Sequence, residues 1–132
     1  MLQTTVTFLD DIDRDNLYEM VLVVNGPLHM SPGKLAGQTF QAAVRMSALF
    51  VWEDKDTRTI VKEAKTPAMF ERICKEIPGY TMVDVGTTEL AHYGEVATVH
   101  VCGPFLHKDR PKLLDNKKVG LVSSAHEQLH VV

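Results

Sequence analysis

Tyr18-Glu19-Met20-Val21-Leu22-Val23-Val24-Asn25-Gly26-Pro27-Leu28-His29-Met30-Ser31-Pro32-Gly33-Lys34-Leu35-Ala36-Gly37-Gln38 is the stretch whose reading decides the fold. Met20 to Val24 is a continuous apolar run rich in β-branched residues, which reads as a buried strand over 18–25. Gly26-Pro27 ends it. Ser31 suits an N-cap and Pro32 a first helical position, so a helix is expected from residue 32 to about Trp52. On a helical wheel Lys34, Gln38, Gln41 and Arg45 fall in one stripe about 60° wide. Nearly all other positions are apolar or small, so the pattern predicts a helix packed on most sides and polar along one line. No Asp or Glu occurs from Gly26 through Trp52, so that line carries cations and amides only. Pattern alone favours the wet face of a surface helix.

Outward from this unit the chain alternates. Arg58 to Ala64 is rich in β-branched residues and reads as a second strand. Thr66-Pro67 opens a second helix, with Thr66 as N-cap and an apolar stripe of Met69, Phe70, Ile73 and Cys74, closed by Pro78-Gly79. Tyr80 to Val85 is a third strand, which runs into the hydroxyl-bearing turn Gly86-Thr87-Thr88-Glu89. A short turn follows at Leu90–Gly94. Val96 to Cys102 is a fourth strand, stopped by Gly103-Pro104. Phe105 to Asn116 is a loop with a short helix near Lys112–Asp115, and Val119 to Ser123 a last short strand. Val6 and Phe8 would allow an edge strand in the leader. The order β-α-β-α-β-β predicts a single α/β domain around a mixed sheet of about four strands flanked by helices, with a right-handed first crossover. The domain spans 17–123, after an acidic extension at 1–16 and before a tail at 124–132 that holds His126 and His130.

Composition bounds the function. The 132 residues suffice for one real core, and 45% hydrophobic with 23% charged residues is ordinary globular usage. No window approaches the ~20 apolar residues of a membrane span. The first residues have no basic region leading into an apolar core, so no secretory signal is expected. Cys74 and Cys102 form no CxxC and read as reduced, buried thiols of a cytoplasmic protein. The net charge of −3 argues against a generic nucleic-acid binder. It is unevenly spread. Residues 1–19 carry one cation against five carboxylates, a net of −4, while residues 108–118 carry five cations against two carboxylates, a net of +3. Lys108, Arg110 and Lys112 in that loop could meet phosphates, although a solvated loop is the commoner meaning of such a run.

Ligands of α/β sheets collect where strands end and helices begin, which marks Gly26–Lys34, Asp84–Thr88 and Gly103–Lys108. Gly26 to Lys34 is no Walker loop, because six residues separate Gly26 from Gly33 and Leu35 follows the lysine. GxSxG, HExxH and paired-cysteine metal signatures are also missing. The six histidines are scattered; His29 reads as a loop residue and His100 as a surface or core-edge one. Asp84 ends an apolar strand ahead of Gly86, which would let backbone approach a ligand closely. Its carboxylate could hold or deprotonate a water, or merely cap the turn. Thr88 and Thr98 could donate hydrogen bonds, and Lys34 could offset developing negative charge.

With these residues in place, the chain resembles the second type of peptidyl-tRNA hydrolase, the one found in archaea and eukaryotes. Leu28-x-Met30-x-x-Gly33-Lys34-x-Ala36-x-Gln38 is similar to its amino-terminal signature, Asp84-x-Gly86-x-Thr88 to its central turn, and Thr98-Val99-x-x-x-Gly103-Pro104 to its late strand. Together these span about residues 18–122. The resemblance implies hydrolysis of the ester between a peptide and the terminal ribose of tRNA, with no metal, cofactor or agreed covalent nucleophile. It implies that Lys34, Gln38, Asp84, Thr88 and Thr98 surround the ester. Asp84 would orient or deprotonate water, Lys34 would balance the oxyanion or a terminal phosphate, and both threonines would hold substrate. The partner would be the acceptor end of peptidyl-tRNA, contacted also by Gln41 and by Lys108, Arg110 and Lys112 on the rim. Members are often homodimers. Gln41 stands where the family usually shows histidine, Ser31-Pro32 replaces an expected lysine, and Thr87 and Glu89 replace a polar pair that is commonly arginine and glutamine. The alternative is a weak or inactive relative that binds tRNA or protein, or a hydrolase of another small ester or amide.

Overall fold

The computed structural model describes residues 17–47, 57–86 and 89–122. Among these residues one mixed sheet holds five strands: β1 (Tyr18–Asn25), β2 (Thr57–Ala64), β3 (Gly79–Asp84), β4 (Val96–Leu106) and β5 (Val119–Leu121). Among the described residues two α-helices flank it, α1 (Pro32–Ser47) and α2 (Pro67–Glu76). The spatial order is β3-β4-β1-β2-β5, with β1 and β2 parallel and every other pair antiparallel. The α/β class is therefore as expected, with one strand more than four. The expected leader strand, residues 48–52 of the first helix, Thr87, Thr88, and the tail with His126 and His130 lie outside the described residues.

β1 is the central strand and its sequence says why. Residues alternate between the two sheet faces, and both faces are covered, so neither set is polar except at Glu19. Met20, Leu22 and Val24 join Met82, Val99 and Val101 under α1, with Ala42 and Met46 from the helix. Val21 and Val23 join Cys102 under α2, with Met69, Phe70 and Ile73. Burying a valine or isoleucine side chain fully contributes about 1.5–3 kcal/mol, so Val21, Val23, Val99 and Ile73, all at 0% exposure, are where truncation costs most. Thr66 caps α2 as its sequence predicts, its side chain accepting from Met69 N–H at 3.1 Å.

β4 corrects one expectation. It does not stop at Gly103-Pro104 but runs on to Leu106. Its pairing with β1 shifts between Glu19 and Val21, so β4 carries one extra residue there. Gly103 takes a φ of 108°, and a Cβ on it would stand 2.6 Å from the Glu19 carbonyl oxygen. Pro104, which lacks an N–H, is tolerated because the bulge interrupts the ladder.

α1 corrects another. It is not packed on most sides: it buries Gln38, Ala42 and Met46, while Phe40 is 70% and Val44 50% exposed. A cavity of about 340 Å³ runs along its outer flank, lined by Ala36, Phe40, Ala43 and, from the sheet, by Leu22, Thr59 and Val61. The helix lies over β3, β4 and β1 rather than centred on the sheet, so the sheet takes in part of its polar line.

Candidate active site

β1, β2 and β3 all end at the same edge of the sheet, because β3 is antiparallel to β4 and β4 to β1. That edge receives the start of α1. Lys34 lies in the first helical turn and Asp84 is the last residue of β3. Fifty positions apart in sequence, they meet: Lys34 Nζ donates to Asp84 Oδ1 at 2.6 Å. Both side chains are mostly buried, at 14% and 8% exposure. Asp84 Oδ2 accepts from Gly86 N–H at 2.9 Å. Asp84 thus caps its turn with one oxygen, as one of its two readings expected, and pairs with lysine through the other. The Lys34 contact holds the carboxyl below its ordinary value against the opposing effect of burial, and the Gly86 N–H adds to it.

Gly86 is required by its own turn. It has φ +76°, and a Cβ there would stand 2.5 Å from the Gly94 carbonyl oxygen.

One helical turn from Lys34, about 6 Å along the axis, Gln38 is 5% exposed. Its Oε1 accepts from the Thr98 hydroxyl at 2.6 Å. Thr98 reaches α1 only because β4 bulges here. Met82 pairs with Val99 and Val83 with Ala97, which leaves Thr98 as the extra residue. Plain alternation would put Thr98 with His100 and Cys102 on the α2 face; the bulge turns it to the α1 face. Thr98 is fully buried, so its place is behind Gln38, not against a substrate. It also approaches the Met82 carbonyl oxygen, 3.3 Å away and two residues before Asp84.

Gln41 and Arg45 are exposed, and Arg45 reaches the Tyr80 hydroxyl at 3.4 Å. The polar line of α1 is thus half wet face and half site: Lys34 and Gln38 point inward, Gln41 and Arg45 outward. Thr88 lies outside the described residues.

The basic loop is elsewhere. β4 runs away from the site edge, so Lys108, Arg110 and Lys112 follow it at the opposite end of the sheet, about 20 Å away along β1. This corrects their expected place on the rim, and Gly103–Lys108 is not a rim segment of this site. Arg110 is occupied there: its guanidinium donates to Glu19 Oε1 at 3.1 Å and to Asp115 at 2.7 Å. Glu19 itself is fully buried in β1 and also accepts from Arg58 at 2.9 Å and meets His107 at 2.9 Å. Burial pushes Glu19 up, but His107, Arg58 and Arg110 outweigh it and hold the carboxyl below its ordinary value.

His100 is not a surface or core-edge residue. It is 1% exposed, with Nδ1 2.7 Å from the Thr81 hydroxyl and Nε2 2.7 Å from the Ile77 carbonyl oxygen. Burial lowers its pKa and keeps the ring neutral. Cys102 is buried and Cys74 half-buried; both are free thiols, and burial pushes Cys102 up to about 12. Among the described residues no group of three His, Cys, Asp or Glu could hold a metal ion, and no helix is long and apolar enough to cross a membrane.

Sequence reasoning missed two partners at this edge. Glu89 reaches Ser31, taking its backbone N–H at 2.9 Å and its hydroxyl at 2.6 Å. Asn25, at the end of β1, donates to the Ala97 carbonyl at 2.9 Å, while its buried Oδ1 has no partner among the described residues. Neither has a local pattern that would reveal it. Comparison with protein-family models and with curated proteins returns no match.

Proposed function

We propose that the protein hydrolyses the ester between a peptide and the terminal ribose of tRNA by attack of water. The observation that carries this reading is the 2.6 Å contact between Lys34 and Asp84, with Gln38, bonded to Thr98, one helical turn from Lys34. The pair brings an ammonium and a carboxylate to the sheet end where α1 begins, with a buried amide one turn along the helix. Of the residues that the resemblance implied around the ester, Lys34 and Asp84 support the reading directly and Gln38 lies one turn along the helix, with Thr98 behind it.

In this reading Asp84 accepts a hydrogen bond from water and aims its lone pair at the ester carbonyl. Lys34 keeps the carboxylate ionised, so Asp84 is a stronger orienter than base. As the carbonyl oxygen gains charge, the Lys34 ammonium balances it in a site partly screened from solvent. As the carbon–oxygen bond to the ribose breaks, the attacking water's proton passes along the Asp84 carboxylate to the leaving ribose oxygen, and the peptide departs as a carboxylic acid.

A second reading has its own support. The cations of residues 108–112 lie at the far end of the sheet, and the Glu89 carboxylate stands close enough to Lys34 and Asp84 to feel both charges. Such a site suits a small N-acylated amino ester better than the polyanionic body of tRNA. One experiment separates them. Release from N-acetyl-aminoacyl-tRNA, lost in Asp84→Ala, upholds the first reading. Cleavage of N-acetyl-aminoacyl-adenosine alone upholds the second. No release from either substrate at high enzyme overturns both.

A further inference from the structure

A helix opening with serine as N-cap commonly carries a glutamate at the third helical position. The serine hydroxyl accepts the N–H of that third residue, and the glutamate reaches back to the N–H of the serine. α1 keeps half of this arrangement. Ser31 Oγ accepts from the Lys34 N–H at 3.2 Å, and the first intrahelical bond runs from Leu35 N–H to the Ser31 carbonyl at 2.8 Å. Its third position, however, is Lys34, the residue that pairs with Asp84. The other half comes from a residue 58 positions away: Glu89 Oε2 accepts from the Ser31 N–H and Oε1 from the Ser31 hydroxyl.

We infer that Glu89 is a positioning residue for Lys34, supplying from the turn after β3 the carboxylate that the helix cannot carry at its own third position. The division of labour is chemical. The third position cannot both close the cap as a glutamate and present an ammonium to Asp84. With the carboxylate supplied by Glu89, Lys34 keeps the position. The same contact ties the start of α1 to the turn that leaves Asp84, so both members of the pair are referenced to one anchor. This rests on the reading of Lys34–Asp84 as the site, but not on any substrate.

The test is a carbon-detected NMR titration of the Asp84 carboxyl in the full chain, with wild type, Glu89→Ala, Glu89→Gln and Ser31→Ala compared. Two effects of Glu89→Ala have opposite sign. Losing a nearby negative charge eases ionisation of Asp84 and moves its midpoint down. Loosening Lys34 moves it up. The proposal expects an upward shift in Glu89→Ala. It expects Glu89→Gln, which retains an acceptor for Ser31 without the charge, to titrate at or below wild type. Ser31→Ala keeps the Glu89 charge and is expected to shift Asp84 upward. Should Glu89→Ala and Ser31→Ala both leave the midpoint at or below wild type, the inference is overturned. An upward shift in a protein that cleaves no ester would leave the inference standing and remove only the proposed reaction.

Discussion

Replacing Thr98 with valine keeps the shape of the side chain and exchanges the hydroxyl for a methyl group. Thr98 is at 0% and Gln38 at 5% exposure, so water does not readily replace the lost donor to Gln38 Oε1. A buried acceptor left without its partner costs about 1–3 kcal/mol. The 2.6 Å length of this bond and its burial place the expected loss near the middle, at about 2 kcal/mol. For a chain of this size that lowers the melting midpoint by about 6–10 °C. Urea denaturation at pH 7 reads it directly, as a fall in midpoint at unchanged slope. The double variant Thr98→Val with Gln38→Leu removes both polar groups together. It should recover about 1–2 kcal/mol of the summed single losses, the signature of a direct contact. In the proposed reaction, Thr98→Val should also lower turnover, by releasing the amide beside Lys34. A Thr98→Val protein within about 0.5 kcal/mol of wild type, with additive effects in the double variant, would refute the reasoning that the bulged threonine holds Gln38.

Other expectations concern the fold around the site. Glu19→Gln leaves Arg110 and Arg58 facing a neutral amide in a buried strand; the loss should be about 2–4 kcal/mol, less than for a fully enclosed pair because Arg58 and His107 keep contact with water. Calorimetry checks this, and a change below about 0.5 kcal/mol would contradict the assigned ion cluster. His100 is held neutral in the folded protein by burial, so the unfolded chain binds its proton first. Stability should therefore decline as pH falls below the ordinary histidine value of 6.5, down to the depressed folded value. The depressed carboxyls of Asp84 and Glu19 contribute stability above the ordinary carboxylate range, which is lost progressively as pH falls from their ordinary values to their lower folded ones. Urea midpoints from pH 8 to 3 separate the two limbs, and His100→Gln should flatten the upper one.

The local elements of this protein are written within a few residues of one another. The apolar run of β1, the Ser31-Pro32 and Thr66-Pro67 helix starts and the turn chemistry of Asp84-x-Gly86 act over five residues or fewer. Reading them yields the elements, their order and the α/β class. Glu19 shows where such reading fails. An acid inside an apolar strand has no local sense, and becomes intelligible only beside Arg58 in the neighbouring strand and Arg110 from beyond β4.

What the amino-acid order alone determined is which segments are strands and helices, and that Lys34 and Asp84 each stand at the end of one. What tertiary structure decided is where these ends meet and which faces turn inward. The bulge at Thr98 reverses the side its hydroxyl takes. The off-centre seat of α1 buries Gln38 and bares Phe40. The direction of β4 carries the basic loop away from the site. Each depends on pairing between residues distant in the chain, and a one-residue change of register flips every side chain that follows it.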